Sequence, residues 1–425
     1  MFGVTSMPAP DSMRDVDWAA WTDEVLARCA IVAGYSEENG KITRTFLCEP
    51  MRRLHDLVSA WMQGARMSVR RDAIGNLIGH YPGSADNAPV FLIGSHLDSV
   101  PNAGRYDGVL GVLLGIAAVQ SLSGRRLPFA VDILGFSEEE GVRYRAPYLG
   151  SLAVAGRFDP TLLERTDANG VSLATAIGAF GLDPAQIPAA AYPRERLLGY
   201  LEAHIEQGPV LEKLNLPVGV VEAITGTSRL WAGFQGKAGH AGTLPMEDRH
   251  DALTAAAEFV LQVERYARSV DGLRGTVGTL SVTPGAVNVV PGAADFSLDI
   301  RHALDAVREQ AVARLLRQAE AIATERRLRF HIEYAEQHPA VKSDARLTES
   351  LSSAVQAAGF PAHRMVSGAG HDAAVMAGLT PMAMLFLRSP GGVSHHPDEA
   401  VLTADVRVAL EVIVNFLHRL AGASP

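Results

Sequence analysis

Cysteine is almost missing from this chain: its 425 residues hold only two, Cys29 and Cys48. They form no CxxC pattern, which excludes a zinc ribbon and a disulfide framework and suits a reducing cytoplasm. A basic excess is missing too, with 38 Lys and Arg against 47 Asp and Glu and a net charge of −9. Nucleic-acid binding usually carries a basic stripe, and none runs along this sequence. No apolar run is long enough to span a bilayer, so no membrane partner is expected; the longest, Val109 to Val119, reads as a buried helix. Met1 to Trp18 carries Asp11, Asp15 and Asp17 and no apolar core, so no signal peptide is expected there. Repeats and low-complexity tracts are absent, and Ala185 to Ala191 is only a short Pro/Ala loop.

What remains is an ordinary globular composition, 48% hydrophobic and 20% charged. At roughly 100–200 residues per domain the length implies two or three domains. Short apolar runs alternate with helical stretches, which predicts an α/β domain with a mixed, mostly parallel sheet. Pro89 to Gly94 and Pro128 to Phe136 read as buried strands, and Gly108 to Leu122 as a buried helix. The texture changes near Leu216. Val218 to Ile224, Ser228 to Gln235, Thr276 to Thr283, Ala294 to Arg301 and Phe330 to Tyr334 read as strands. Helices at about Asp248 to Ser269 and Ala303 to Arg327 punctuate them. After Glu336 the first texture returns, with a helix near Leu347 to Ala358 and a strand at Pro381 to Leu387. The simplest account is a small two-layer α+β (ferredoxin-like) domain over 216–335, inserted into a larger domain made of 1–215 and 336–425.

Polar clusters follow the apolar strands, where open α/β sheets bind ligands. In His96-Leu97-Asp98 an extended backbone puts both polar side chains on one side, so Asp98 can orient the His96 imidazole. Imidazole and carboxylate are common ligands of zinc, manganese and similar ions. Asp107 opens the apolar helix and has two oxygens to share between two metals; the plainer reading makes it a helix cap. Glu138-Glu139-Glu140 follows the second strand directly. Three adjacent carboxylates at a half-buried strand end need a cation, unless they form a solvated turn. One can hold metal while its neighbour acts as general base. His204 lies in Glu202-Ala203-His204-Ile205-Glu206-Gln207, where a structural role is the alternative. In Ser394-His395-His396-Pro397-Asp398-Glu399, adjacent histidines in an extended chain point apart, so at most one faces a shared metal. Ser367 to Ala373 fits a loose GxGxxA dinucleotide pattern with no acidic residue at the ribose position.

Together these segments resemble the amidase branch of the dinuclear zinc-peptidase superfamily, which holds N-carbamoyl-L-amino acid hydrolases, β-ureidopropionase and allantoate amidohydrolase. The resemblance covers nearly the whole chain, from Gly40-Lys41-Ile42-Thr43-Arg44 and Asp72 to Gly79 through to Ser394–Glu399. It implies a zinc-peptidase-like catalytic domain, an inserted domain that serves as dimerisation lid, and a homodimer. It also implies two divalent metal ions per subunit, whether zinc, manganese, cobalt or nickel. By motif, His96, Asp107 and His204 would hold one metal, and Asp107, Glu140 and His395 the other, with Asp107 bridging. Glu139 would be the general base. His395 fits the pattern Ser-His-x-Pro-x-Glu better than His396. His240, in Gly236–Thr243, matches an oxyanion-stabilising histidine supplied by the partner subunit. Gln207 matches a contact to the ureido group, and Asn288 and Arg301 match residues that bind the substrate carboxylate. Gly370 and His371 match a loop lining the site. Gly239, where Asn often precedes the histidine, and Leu244, where a second Thr is common, depart from that pattern, which affects only fine substrate fit.

The resemblance implies a metal-dependent amidohydrolase that cleaves a ureido or carbamoyl C–N bond in a small carboxylate substrate. The Ser137–Arg143 run is closer to allantoate amidohydrolases; N-carbamoyl-L-amino acid hydrolase and β-ureidopropionase are the alternatives. A dinucleotide-dependent oxidoreductase and a non-catalytic dimeric binding protein are the readings from other classes. A lid that closes would hinge near Asn215 to Pro217 and Tyr334 to Gln337.

Overall fold

A computed structural model describes residues 17–422. The reading made of Met1 to Trp18 therefore lies, but for Asp17 and Trp18, outside the described residues. The chain forms two compact units. The first runs to Glu222 and takes in Lys342–Met365 and the residues from Gly370 on; the second is Ala223–Val341 with Val366–Ala369.

These divisions differ from the expected 215/216 and 335/336, for reasons visible in the pairing. Val218 to Val221 pair with Leu387 to Met384 in the first unit's sheet. At the other end, the strand Arg329–His338 stays paired with Gly226–Gln235 as far as His338.

The first unit is built on a nine-stranded sheet. Its centre is four adjacent parallel strands in the order Ala130–Phe136, Val90–His96, Leu197–Ile205 and Met382–Leu387. Leu77–Tyr81 flanks them antiparallel on one side and Val218–Ile224 on the other. Every residue of Val90–His96 and of Ala130–Phe136 is buried. A strand covered on both faces is apolar at most positions, which is why these runs show no alternation; the buried Asp132 is bonded to His80 and Tyr192. The helix Val109–Ser121 is buried on nearly every residue for the same reason. No helix among the described residues is long and apolar enough to cross a membrane.

The second unit is a four-stranded antiparallel sheet in the order Arg329–His338, Gly226–Gln235, Ala293–His302, Arg274–Thr283. Helices Ala252–Ser269 and Asp305–Glu325 complete a β-α-β-β-α-β sequence. Ala294, Phe296, Leu298 and Ile300 alternate inward along one strand and pack with Phe234, Phe259 and Leu315. The first of these helices starts at Ala252, later than expected, because Asp251 caps it by accepting the N–H groups of Leu253 and Thr254.

Candidate metal centre

The four central parallel strands deliver side chains to one end of the sheet. His96 is the last residue of its strand, and Glu138 to Glu140 come one residue, Ser137, after the strand that ends at Phe136. His204 lies one residue before the end of Leu197–Ile205, and the loop after Met382–Leu387 carries His395. His96 pairs in register with Phe136, and His204 with Phe386, so these carboxyl ends are level. Residues 96 to 395 thus meet because parallel neighbours all end on the same edge.

Asp107 stands at the middle. Its Oδ1 lies 3.0 Å from His204 Nε2 and 3.6 Å from His96 Nε2. Its Oδ2 lies 3.2 Å from His395 Nε2, which is 3.4 Å from Glu140 Oε1. The ligand atoms of His96, Asp107 and His204 lie within 4.8 Å of one another, as do those of Asp107, Glu140 and His395. A third grouping, His96 with Glu139 and Glu140, meets the same limit. The helix that Asp107 precedes has no side-chain cap, so the plain capping reading fails. His396 turns away to Asp398, at 3.5 Å, and belongs to no such grouping among the described residues.

The donor set suits divalent cations. His96 Nδ1 donates to Asp98 O at 3.0 Å and His204 Nδ1 to Ile205 O at 2.9 Å, which leaves each neutral ring a lone pair on Nε2. Asp107 Oδ1 and His204 Nε2 are buried and lack hydrogen bonds. Two imidazole nitrogens and a carboxylate oxygen sharing one buried point match what zinc and similar ions take. Burial pushes Glu139 well above the usual carboxylate range, with Glu140, Asp372 and Asp98 adding to the effect. Glu140 is pushed to about 7, again chiefly by burial. Burial acts the same way on Asp107, but His204, His395 and His96 outweigh it and hold the acid well below its ordinary value.

Asp98 acts differently from its sequence expectation. The carbonyl of Asp98, not its carboxylate, bonds His96; the carboxylate lies 3.7 Å from Nδ1. Instead Oδ1 and Oδ2 accept the main-chain N–H groups of Glu139 and Glu140, each at 3.1 Å. The three glutamates also separate. Glu138 is turned into its own loop, where Oε1 accepts the N–H groups of Arg143 and Tyr144.

Gln207 reaches the centre, with Nε2 3.2 Å from Asp107 Oδ2 and 2.9 Å from Ser394 Oγ. His371 is buried, its ring 4.6 Å from that of His204. Gly370 packs against Tyr148, whose hydroxyl would lie 2.0 Å from a Cβ placed there. The helix after this loop, Asp372–Met376, has only five residues, a poor base for dinucleotide binding. In the second unit, Gly239–His240 pairs with Val289–Val290, and Ala241 N donates to Asn288 O at 2.8 Å. His240 and Asn288 are therefore neighbours on one ribbon. The Arg301 guanidinium is gripped by both Asp299 oxygens, at 2.8 and 3.0 Å, and by Gly368 O at 2.7 Å.

Sequence reasoning missed several supports. Glu202 is fully buried and accepts from Ser95 Oγ, Tyr200 OH and Ala373 N, tying three elements beneath His204. Arg44, also buried, donates to the carbonyls of Leu97 and Tyr35. Glu206 accepts the N–H groups of Val210 and Leu211, which fixes the turn after His204. Glu202 and Glu206 lay in the quoted motif, but nothing in one sequence says which amide or hydroxyl a carboxylate meets.

This fold and site define a member of a known class. Residues 92–419 match Peptidase family M20/M25/M40, and the chain belongs to that family. It is 40% identical to an N-carbamoyl-L-amino acid amidohydrolase of Geobacillus stearothermophilus, over 91% of this chain and 95% of that protein. It is 37% identical to a probable allantoate deiminase of Oryza sativa subsp. japonica, over 94% of this chain and 88% of that one. A solved amidase of the hydantoinase/carbamoylase family from Burkholderia multivorans superposes with a TM-score of 0.88 at 30% identity, covering 94% of this chain and 97% of the other.

Proposed function

We propose that this chain is a dinuclear metal-dependent amidohydrolase that cleaves a ureido or carbamoyl C–N bond in a small carboxylate-bearing substrate. Allantoate is the first candidate and N-carbamoyl-L-amino acids the second. One observation carries the reading: ligand atoms of His96, Asp107, Glu140, His204 and His395 gather in two groups that share Asp107. The relatives named for allantoate and for N-carbamoyl-L-amino acids support the substrate class.

Divalent cations held by His96, Asp107 and His204 and by Asp107, Glu140 and His395 would acidify bound water and polarise the substrate carbonyl. Glu139, anchored through its N–H to Asp98, takes the water's proton and returns it to the leaving nitrogen. Gly242 N donates to His240 Nδ1 at 3.2 Å, so the neutral ring carries its proton on Nε2, free to face an oxyanion. In the proposed homodimer that histidine serves the partner subunit's site. Gln207 contacts the ureido group. Arg301 and Asn288 bind the substrate carboxylate, and the grip of Asp299 aligns the Arg301 fork for it. The homodimer reading is supported by the second unit's sheet, where Trp231 and Tyr334 pack together at 5.3 Å, 38% and 54% exposed.

The 40% relative favours N-carbamoyl-L-amino acids as the second reading. The preference for allantoate came from the run containing Glu138, and that carboxylate is spent on its own loop. Side-by-side assays decide: ammonia release from allantoate and amino-acid release from several N-carbamoyl-L-amino acids. Turnover of allantoate above the others supports the first candidate, the reverse order supports the second, and turnover of neither contradicts the proposal.

A further inference from the structure

Two pairs of loops around the centre are tied by one device. The loop after His96 supplies Asp98, whose carboxylate accepts the consecutive amides of Glu139 and Glu140. The loop after His395 supplies Glu399, whose Oε1 accepts the consecutive amides of Tyr106 and Asp107 at 2.9 and 3.1 Å. In each case a loop bearing a histidine holds a loop bearing a carboxylate.

The amides of Tyr106 and Asp107 precede the helix that starts at Val109, so the helix itself cannot supply their acceptors. Buried main-chain donors need an acceptor, and an anionic one bonds more strongly than a neutral one. Glu399 is 4% exposed, so water competes little. Its Oε2 lies 3.4 Å from Ser394 Oγ, which lies 3.4 Å from Asp107 Oδ2. The fit is tight: a Cβ on Gly104 would fall 2.3 Å from Glu399 Cβ and 2.4 Å from its Cδ and Oε1. Glycine at that position lets the carboxylate press against the Tyr106–Asp107 turn.

We propose that Glu399 is a positioning residue for the bridging carboxylate of Asp107, and that it locks that carboxylate to the loop carrying His395. The inference rests on the metal reading above. Both amides bind one oxygen, so Glu399→Gln keeps the acceptor and discards the charge, whereas Glu399→Leu removes the acceptor.

The test uses the full chain loaded with Zn²⁺ and dialysed against rising chelator, with zinc per chain counted by elemental analysis. E399L is expected to release zinc at a chelator concentration about tenfold or more below that of the wild type, the usual loss when a partner of a metal-holding group is removed. E399Q, which keeps the acceptor without its charge, is expected to hold zinc to a clearly higher chelator concentration than E399L. Where E399L does not fold, Glu399→Asp replaces it; that carboxylate is one methylene too short to reach both amides, and the same early release is expected. Wild-type zinc retention in the Leu or Asp variant overturns the proposal, and so does release from E399Q as early as from E399L. A wild-type chain that takes up no zinc overturns the metal reading itself, and this inference with it.

Discussion

His204 Nε2 and Asp107 Oδ1 lie 3.0 Å apart, both buried, and neither makes a hydrogen bond. The other nitrogen of His204 donates to Ile205 O, so Nε2 of the neutral ring offers a lone pair. Two electron-rich atoms facing each other away from water need a positive charge between them. The two oxygens of Asp107 face different groups of ligands. Asp107→Ala is therefore expected to cost both metal ions, and His204→Ala to leave about one per chain. Elemental analysis of the purified variants checks this; equal metal content in the two would contradict the bridging role.

Glu139→Gln keeps the size and the anchoring N–H of residue 139 but removes the proton acceptor. Metal content should stay at the wild-type level while kcat falls by about 10²–10⁴. A variant with normal turnover would remove Glu139 from its proposed role.

Much of this architecture was legible in the sequence. Phe91 to Ile93 and Val131 to Leu134 announce strands because both faces of each are covered. The inserted α+β unit shows itself by alternation, as in Ala294 to Ile300. The boundary near residue 216 was not legible, because Val218 to Val221 has the same β texture whichever sheet it joins. Partners of charged groups were the least legible. Asp98 reads as a companion of His96 by spacing, yet its carboxylate bonds amides about forty positions away, at Glu139 and Glu140. Glu138 reads as one of three crowded acids until the loop that it closes is seen.

Gly108 adopts φ 68° and ψ −56°, and a Cβ there would lie 2.5 Å from three atoms of the His96 ring. Gly108→Ala is expected to cost about 1–3 kcal/mol through the backbone alone and to push His96 off its position. Lower thermal stability together with weaker metal retention is the expected pair of results. A loss of stability with metal retention unchanged would show that His96 is not displaced.

His55 is buried, with Nδ1 unpartnered and its ring edge-on to Phe180 at 5.7 Å. Burial, aided by the cations of Arg71, Arg44 and Arg52, pushes its pKa down from 6.5 to about 3. Between those values the unfolded chain holds a proton that the native chain does not, so stability falls as the solution is acidified. The loss from this one group is about 1.4 kcal/mol per pH unit within the window. Urea midpoints should drop more steeply between about pH 7 and about pH 5 in the wild type than in His55→Leu. Parallel slopes would mean that His55 is protonated in the native state.

Metal content of the purified chain bears most directly on the whole account. About two divalent ions per chain are expected, with hydrolysis of the ureido or carbamoyl substrate abolished by chelation and restored by manganese, cobalt, nickel or zinc. A chain that hydrolyses the substrate at full rate while free of metal and indifferent to chelator would contradict it.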